Sequence, residues 1–257
     1  MPFRRLTLAA TFLAVLFSAP ANAGFADRPG DFDYYAMVLS WSPSFCLDNN
    51  GAHANEQQCT ASRPYAFVLH GLWPQFNKGW PESCDIGQRP WVPKPLINSM
   101  LDIMPSEKLV IHEYAKHGTC SGLDAQGYFG LARKLFAKVT VPPKYTGLGK
   151  ELNESVDQLI TDFKSTNPAI TPGGIAVDCS RGGRIREVHI CFTKDGAFTR
   201  CGKNEDQNRI CRSASISIPP VRGDGSNSRT AVDSPDAKGN PLSESLRKWL
   251  YRKGIGR

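Results

Sequence analysis

Hydrophobic residues in this chain gather into short runs separated by proline, glycine and small polar residues, and no segment repeats. Tyr34 to Trp41 is apolar and β-prone and predicts a buried strand, ended by Ser42-Pro43. Residues 47–64 are polar and read as a loop. Tyr65 to Leu69 is a second strand-like run, with His70 and Gly71 at its end. Residues 74–95 hold five prolines and Cys84, which predicts an irregular connection pinned by a disulfide. Pro95 to Met104 predicts a short helix. Ser106 to His117 predicts a longer one, with Ser106 as its cap and Gly118 as its stop. Tyr128 to Val139 has the spacing of an amphipathic helix, and Asn153 to Asn167 predicts another. Ile175 to Cys179 and Arg186 to Phe192 read as strands, and Lys194-Asp-Gly196 as a turn returning Ala197 to Cys201 as a partner strand. From 213 onward the pattern lapses. Residues 24–212 are expected to form one domain, and 213–257 a flexible polar and basic tail whose end, Leu242 to Arg257, can form a short helix.

The start of the chain changes the setting. Arg4 and Arg5, an apolar run from Leu6 to Ala19 and the small-residue site Ala21-Asn22-Ala23 form a secretory signal over residues 1–23. The run is shorter than the about 20 residues a membrane span needs. The expectation is an exported protein, periplasmic or extracellular, with no membrane association and a monomeric state. The formal net charge of +7 includes the two leader arginines. A positive balance favours polyanions, but many exported proteins are basic without such a partner. The eight cysteines, Cys46, Cys59, Cys84, Cys120, Cys179, Cys191, Cys201 and Cys211, read as four disulfides in an exported chain. A zinc site would want Cys-x-x-Cys pairs, which are missing. Spacing leaves about 105 connectivities open.

Candidate chemistry concentrates in Phe67-Val-Leu-His-Gly-Leu-Trp-Pro-Gln75 and Ile111-His-Glu-Tyr-Ala-Lys-His-Gly-Thr-Cys120, which hold three of the five histidines. At about 100° per residue, with His112 at zero, Lys116 falls near 40°, Glu113 near 100° and His117 near 140°, so all four share one side of a helix. Ile111, Tyr114 and Ala115 lie outside that arc. A zinc-hydrolase helix uses His-Glu-x-x-His with histidines four apart; here they are five apart, too far around the helix to grip one ion easily. Two imidazoles supply proton exchange near neutral pH, and a lysine opposes anionic charge, which is what phosphate chemistry without a metal requires. Trp73-Pro74 offers a stiff aromatic platform for a base. His189, alternating with apolar residues in a strand, and His53, in a polar loop, read as structural.

These two segments, together with Leu39-Ser-Trp-Ser-Pro-Ser-Phe-Cys46, resemble the active-site segments and first strand of the ribonuclease T2 family, over about residues 34 to 212. The resemblance implies an α+β fold, an antiparallel sheet flanked by helices and stapled by disulfides. It implies an endoribonuclease cleaving single-stranded RNA by metal-independent transesterification through a 2′,3′-cyclic phosphate, with no cofactor. His70 matches the general acid and His117 the general base. Glu113 and Lys116 match the pair that polarises the phosphate, His112 a phosphate-binding histidine, and Trp73 a base-binding aromatic. The implied disulfides are Cys46–Cys59, Cys84–Cys120, Cys179–Cys211 and Cys191–Cys201. Tyr114 and Ile111 depart from the family's usual aromatics as packing changes, while the variable Gln75 leaves base preference open. An inert RNA-binding protein on the same scaffold would have lost a catalytic histidine, and both are present.

Overall fold

A computed structural model describes residues 27–48, 57–60 and 65–221. The expected signal (1–23), His53 and the stretch from 222 lie outside them. In chain order the elements are β1 (Tyr34–Trp41), α1 (Ser42–Leu47), α2 (Gln57–Thr60), β2 (Phe67–Gln75), α3 (Lys94–Met100), α4 (Glu107–Lys116), α5 (Ala125–Phe136), α6 (Pro143–Thr146), β3 (Leu152–Glu154), α7 (Val156–Thr166), β4 (Ile175–Cys179), β5 (Ile185–Phe192), α8 (Gln207–Ile210) and β6 (Ile216–Ile218). Four strands form an antiparallel sheet of order β2-β1-β5-β4, and β3 pairs with β6 in a second, two-stranded one. The helices pack against the larger sheet, so the architecture is the expected α+β one. Among the described residues no helix is long and apolar enough to cross a membrane.

Side chains alternate across β1. Tyr35, Met37, Leu39 and Trp41 enter the large core, where Phe67, Leu69 and Leu72 of β2 meet Tyr128, Phe129 and Leu135 of α5 and Phe163 of α7. Tyr34, Ala36 and Val38 face the other way, into a small cluster with Cys191, Trp73 and Cys201.

Strand β2 does not end at Leu69. It runs on to Gln75 through a β-bulge: Val38 faces Gly71 and Leu39 faces Leu69, which leaves His70 as the extra residue. One extra residue inverts the parity of everything after it. Phe67 and Leu69 point into the core before the bulge and Leu72 after it, and Trp73 is thereby turned to the opposite face. Pro74 is tolerated because β2 is an edge strand. A second bulge sits on β5, where Glu187 faces Asp178, Ile185 faces Cys179 and Arg186 is the extra residue.

Helix α4 forms as its sequence dictates. The Ser106 hydroxyl accepts from the Leu109 amide at 3.3 Å, Glu107 lies in the first turn and Lys116 in the last. Val110 and Tyr114 enter the core. Gly118 is needed just past the helix, since a Cβ there would come within 2.4 Å of the Tyr114 ring.

Beyond the longer β2, the sequence expectation differs from the structure elsewhere: Gln57–Thr60, read as loop, forms α2, and three further segments depart from it. Residues Ala197 to Cys201 do not return as a strand; one bridge, Phe192 to Phe198, and the Cys191–Cys201 disulfide hold them. The segment from Asn153 is divided between β3 and α7, with the Ser155 hydroxyl capping the helix. Residues 213–221 are not tail. Ile216, Ile218 and Val221 are buried, and the Trp41 indole donates to the Pro219 carbonyl at 3.1 Å. Their signal is short, three apolar residues spread among serines and prolines, and it becomes a strand through pairing with β3. The four disulfides join the pairs that the resemblance implied, so all eight cysteines are bonded.

Ile218→Ala is expected to cost about 2–5 kcal/mol in urea denaturation, as for truncating a buried aliphatic residue. A change within about 0.5 kcal/mol would return this segment to the tail.

Candidate active site

The sheet face turned away from the large core carries three rows of residues. Trp73, Ala36 and Cys191 form one, Gly71, Val38 and His189 the next, and Val68, Ser40, Glu187 and Asp178 the third. The small residues Ala36, Ser40 and Gly71 leave room for the larger polar groups beside them. Gly71 is required sterically: a Cβ there would lie 1.8 Å from Glu113 Oε2 and 2.7 Å from Trp73 Nε1.

Helix α4 closes this face from the β2 edge. Glu113 is 1% exposed; its Oε2 accepts from Trp73 Nε1 at 2.8 Å, and its Oε1 lies 3.5 Å from His70 Nε2. His117, the C-cap of α4, is buried, and its ring stacks on the Trp73 indole with centroids 5.0 Å apart. His70 and His189 meet the same indole edge-on at 5.2 and 5.6 Å. One face of Trp73 is thus taken by His117, so the indole is less a free platform than a plate that holds histidines apart.

Behind His70 stands a buried polar chain. His70 Nδ1 lies 2.5 Å from Glu187 Oε1. Glu187 Oε2 lies 3.3 Å from His189 Nε2, and His189 Nδ1 lies 3.6 Å from Glu205 Oε1. The Tyr34 hydroxyl donates to the other oxygen of Glu205. His112 and Lys116 take the open side of the helix: His112 is exposed, and Lys116 Nζ lies 3.5 Å from Glu82. Of the four polar positions on the helical arc, two are therefore buried against Trp73 and two face outward. His70, His112, Glu187, Lys108, Arg186 and Ser44 border a cavity of about 570 Å³.

These surroundings push the two motif-segment imidazoles beside Trp73, half-buried His70 and buried His117, in opposite directions. Burial pulls His70 down, but the hydrogen bond and charge of Glu187, with Glu113 adding, outweigh it and raise the pKa above the ordinary 6.5. Burial, then the charges of Lys116, His70 and His112, lowers His117 to about 3. Its Nδ1 is buried with no hydrogen-bond partner, which suits a neutral ring. Burial lifts Glu113 to about 7 despite His70 and Trp73. Burial also opposes the charge on Glu187, yet hydrogen bonds from His189 and His70 hold it well below the usual carboxylate range. His189 rises to about 9, because Glu187 and Glu205 outweigh its burial. His112 is lowered by burial and by the charges of Lys116 and His70.

His189, read from sequence as structural, belongs to this cluster, and Glu187 was not singled out at all. The available signal was their spacing: residues two apart in a strand share a face. Among the described residues the tight group of metal-ligating types is Cys191, Cys201 and Glu205, whose sulfurs are bonded to each other.

A disulfide-stapled α+β domain that sets a strand histidine against a histidine, a carboxylate and a lysine of one helix defines a class of acid–base site. The particular family follows from comparison. The model of the Ribonuclease T2 family matches residues 32–201, and the chain belongs to that family. It is 34% identical over 205 residues to a ribonuclease of Aeromonas hydrophila, spanning 79% of this chain and 91% of that one. A probable ribonuclease of Haemophilus influenzae is 32% identical over 66% of this chain and 61% of its own. Among solved structures, an RNase-related protein from Calystegia sepium superposes with a TM-score of 0.59 at 21% identity, covering 74% of this chain and 98% of that one. A self-incompatibility-associated RNase of Nicotiana alata does so at 0.56 and 22%, covering 75% and 100%.

Gly71→Ala should destabilise by about 1–3 kcal/mol, because the new methyl must displace the buried Glu113 carboxylate. Gly130→Ala, in an exposed helical position with nothing within 4 Å of the new Cβ, should be neutral or gain about 0.5–1 kcal/mol. Equal effects in thermal or chemical denaturation would remove the steric argument.

Proposed function

We propose that this ribonuclease cleaves single-stranded RNA by metal-independent transesterification, with His117 as general base and His70 as general acid. The observation that carries the reading is the opposite bias of the two imidazoles on either side of Trp73. One is backed by a carboxylate, and the other is buried near cations.

The base must begin neutral, and the site favours neutral His117. It takes the 2′-hydroxyl proton, and the 2′-oxygen attacks the adjacent phosphorus. That nucleophile is already part of the substrate, so little proximity cost remains. The acid must begin protonated, and the site favours protonated His70, which gives its proton to the leaving 5′ oxygen as the P–O bond breaks. The products are a 2′,3′-cyclic phosphate and a free 5′-hydroxyl. Lys116 and His112, on the outward side of α4, meet the phosphate, and Lys116 opposes the charge growing on its non-bridging oxygens. Glu113, neutral below about 7, can donate a hydrogen bond to one of those oxygens. Trp73 offers a base only the part of its ring that His117 leaves uncovered. The cavity beside His70 accommodates the strand, with Lys108 and Arg186 near its backbone. We place the enzyme outside the cytoplasm, monomeric and free of the membrane, in keeping with the leader-like residues 1–23 and four disulfides.

His70→Ala and His117→Ala should each lower kcat/KM on RNA by about 10²–10⁴, the usual effect of losing a general acid or base. Near-parental activity in either would sink the assignment.

The pH profile carries a separate test. Activity needs His117 deprotonated, so the acid limb follows its lowered pKa of about 3. It needs His70 protonated, so activity is lost on the basic side only above the ordinary imidazole value of 6.5. A profile of kcat/KM with both limbs crowded at 6.5 would contradict the two environments described.

A further inference from the structure

We infer that Glu187 is a positioning residue for His70, fixing the ring by accepting its Nδ1–H and directing Nε2 toward the substrate, and that His189 fixes Glu187 from behind. This rests on His70 acting as general acid. It adds a part from β5 to a site otherwise supplied by β2 and α4.

The geometry supports a built relay. Glu187 is 8% exposed, and each of its oxygens faces a different imidazole, His70 Nδ1 at 2.5 Å and His189 Nε2 at 3.3 Å. A buried carboxylate persists only when paired on this scale. The register of β5 on β1 puts Glu187 opposite Ser40 and His189 opposite Val38, side chains small enough to leave the polar chain its space. Beyond His189 lies Glu205, bound by the Tyr34 hydroxyl; its Oε1 is 3.6 Å from His189 Nδ1, a charge contact that leaves that nitrogen without a hydrogen bond. The surroundings favour alternating charges along the polar chain, with His70 and His189 held toward the cation and Glu187 toward the anion. With Nδ1 bonded to Glu187, the proton to be transferred sits on Nε2, the nitrogen that also lies 3.5 Å from Glu113 Oε1. Without Glu187 the ring could take either tautomer and could turn.

Several groups act on the charge of His70: Glu187 and His189 from β5, and Glu113, His112 and His117 from α4. Lys108 and Arg186 border the adjoining cavity. The largest of the influences favouring the cation is the bond to Glu187.

The test is Glu187→Gln, read in two ways. In substrate-free protein, the His70 ring followed by ¹³C NMR should titrate at lower pH than in the parent. In the rate profile on RNA the basic limb should move down with it, the acid limb should stay, and turnover should fall about 10–100-fold, as for loss of an outer partner of a histidine. Glu187→Asp keeps the charge, so its His70 titration should stay nearer the parent's even where the rate falls. A Glu187→Gln protein with an unmoved His70 titration and an unmoved basic limb would show Glu187 to be only a structural tie and would overturn the inference. If Glu187→Gln does not fold, Glu187→Asp decides: a His70 titration raised as in the parent supports it, and one at the ordinary 6.5 in both proteins overturns it. Failure of the parent to cleave RNA would instead contradict the proposed function, because the NMR titration needs no substrate.

Discussion

The site depends on a single extra residue. Without the bulge at His70, strand β2 would keep its parity, and Trp73 would point into the helix-side core with Phe67 and Leu69. With it, Trp73 stands on the opposite face, where it donates to Glu113 and separates three imidazole rings. The bulged residue is itself the histidine that leaves the ladder to meet Glu187. Gly71 follows because the backbone at the bulge runs against the Glu113 carboxylate. One local irregularity thus sets the side-chain directions of the first motif and the packing distance of the second.

What the bulge assembles is an electrostatic contrast. His70 and His117 flank the same indole, yet one faces buried carboxylates and the other faces burial and cations. In water both imidazoles would titrate together near 6.5. Here the fold separates them, which suits the proposed roles of one ring as base and the other as acid. The surroundings are braced accordingly. Cys84–Cys120 and the Ser83 amide, which donates to the Lys116 carbonyl at 2.7 Å, fasten the proline-rich connection to the end of α4. Cys191–Cys201 lies on the site face beside Ala36. These covalent ties hold polar groups that a small apolar cluster alone would not fix.

Much of this was legible in the chain. Strand β1, helix α4 with its Ser106 cap, and the two motif segments were readable because their signals are local: an apolar run, a capping residue, a helical arc. The continuation of β2 was not, because Gly71 and Pro74 read as breakers, whereas a bulge and an edge position accommodate them. Glu187 was missed because its partner His70 lies 117 residues away in sequence and meets it only through sheet pairing. His189 looked like a core histidine for the same reason: its alternation with apolar neighbours shows that it is buried, but not what it is buried against. Strand β6 was missed because so short a run gains strand character only from its partner.

The proposed chemistry has His70 of β2 and His117 at the end of α4 cleave RNA through its own 2′-oxygen. The most direct measurement is mass analysis of the product ends after incubating the oxidised protein with single-stranded RNA in excess EDTA. That chemistry gives 2′,3′-cyclic phosphate ends with free 5′-hydroxyls, and no cleavage of the corresponding DNA. Cleavage that appears only with added metal, or products bearing 5′-phosphates, would contradict it.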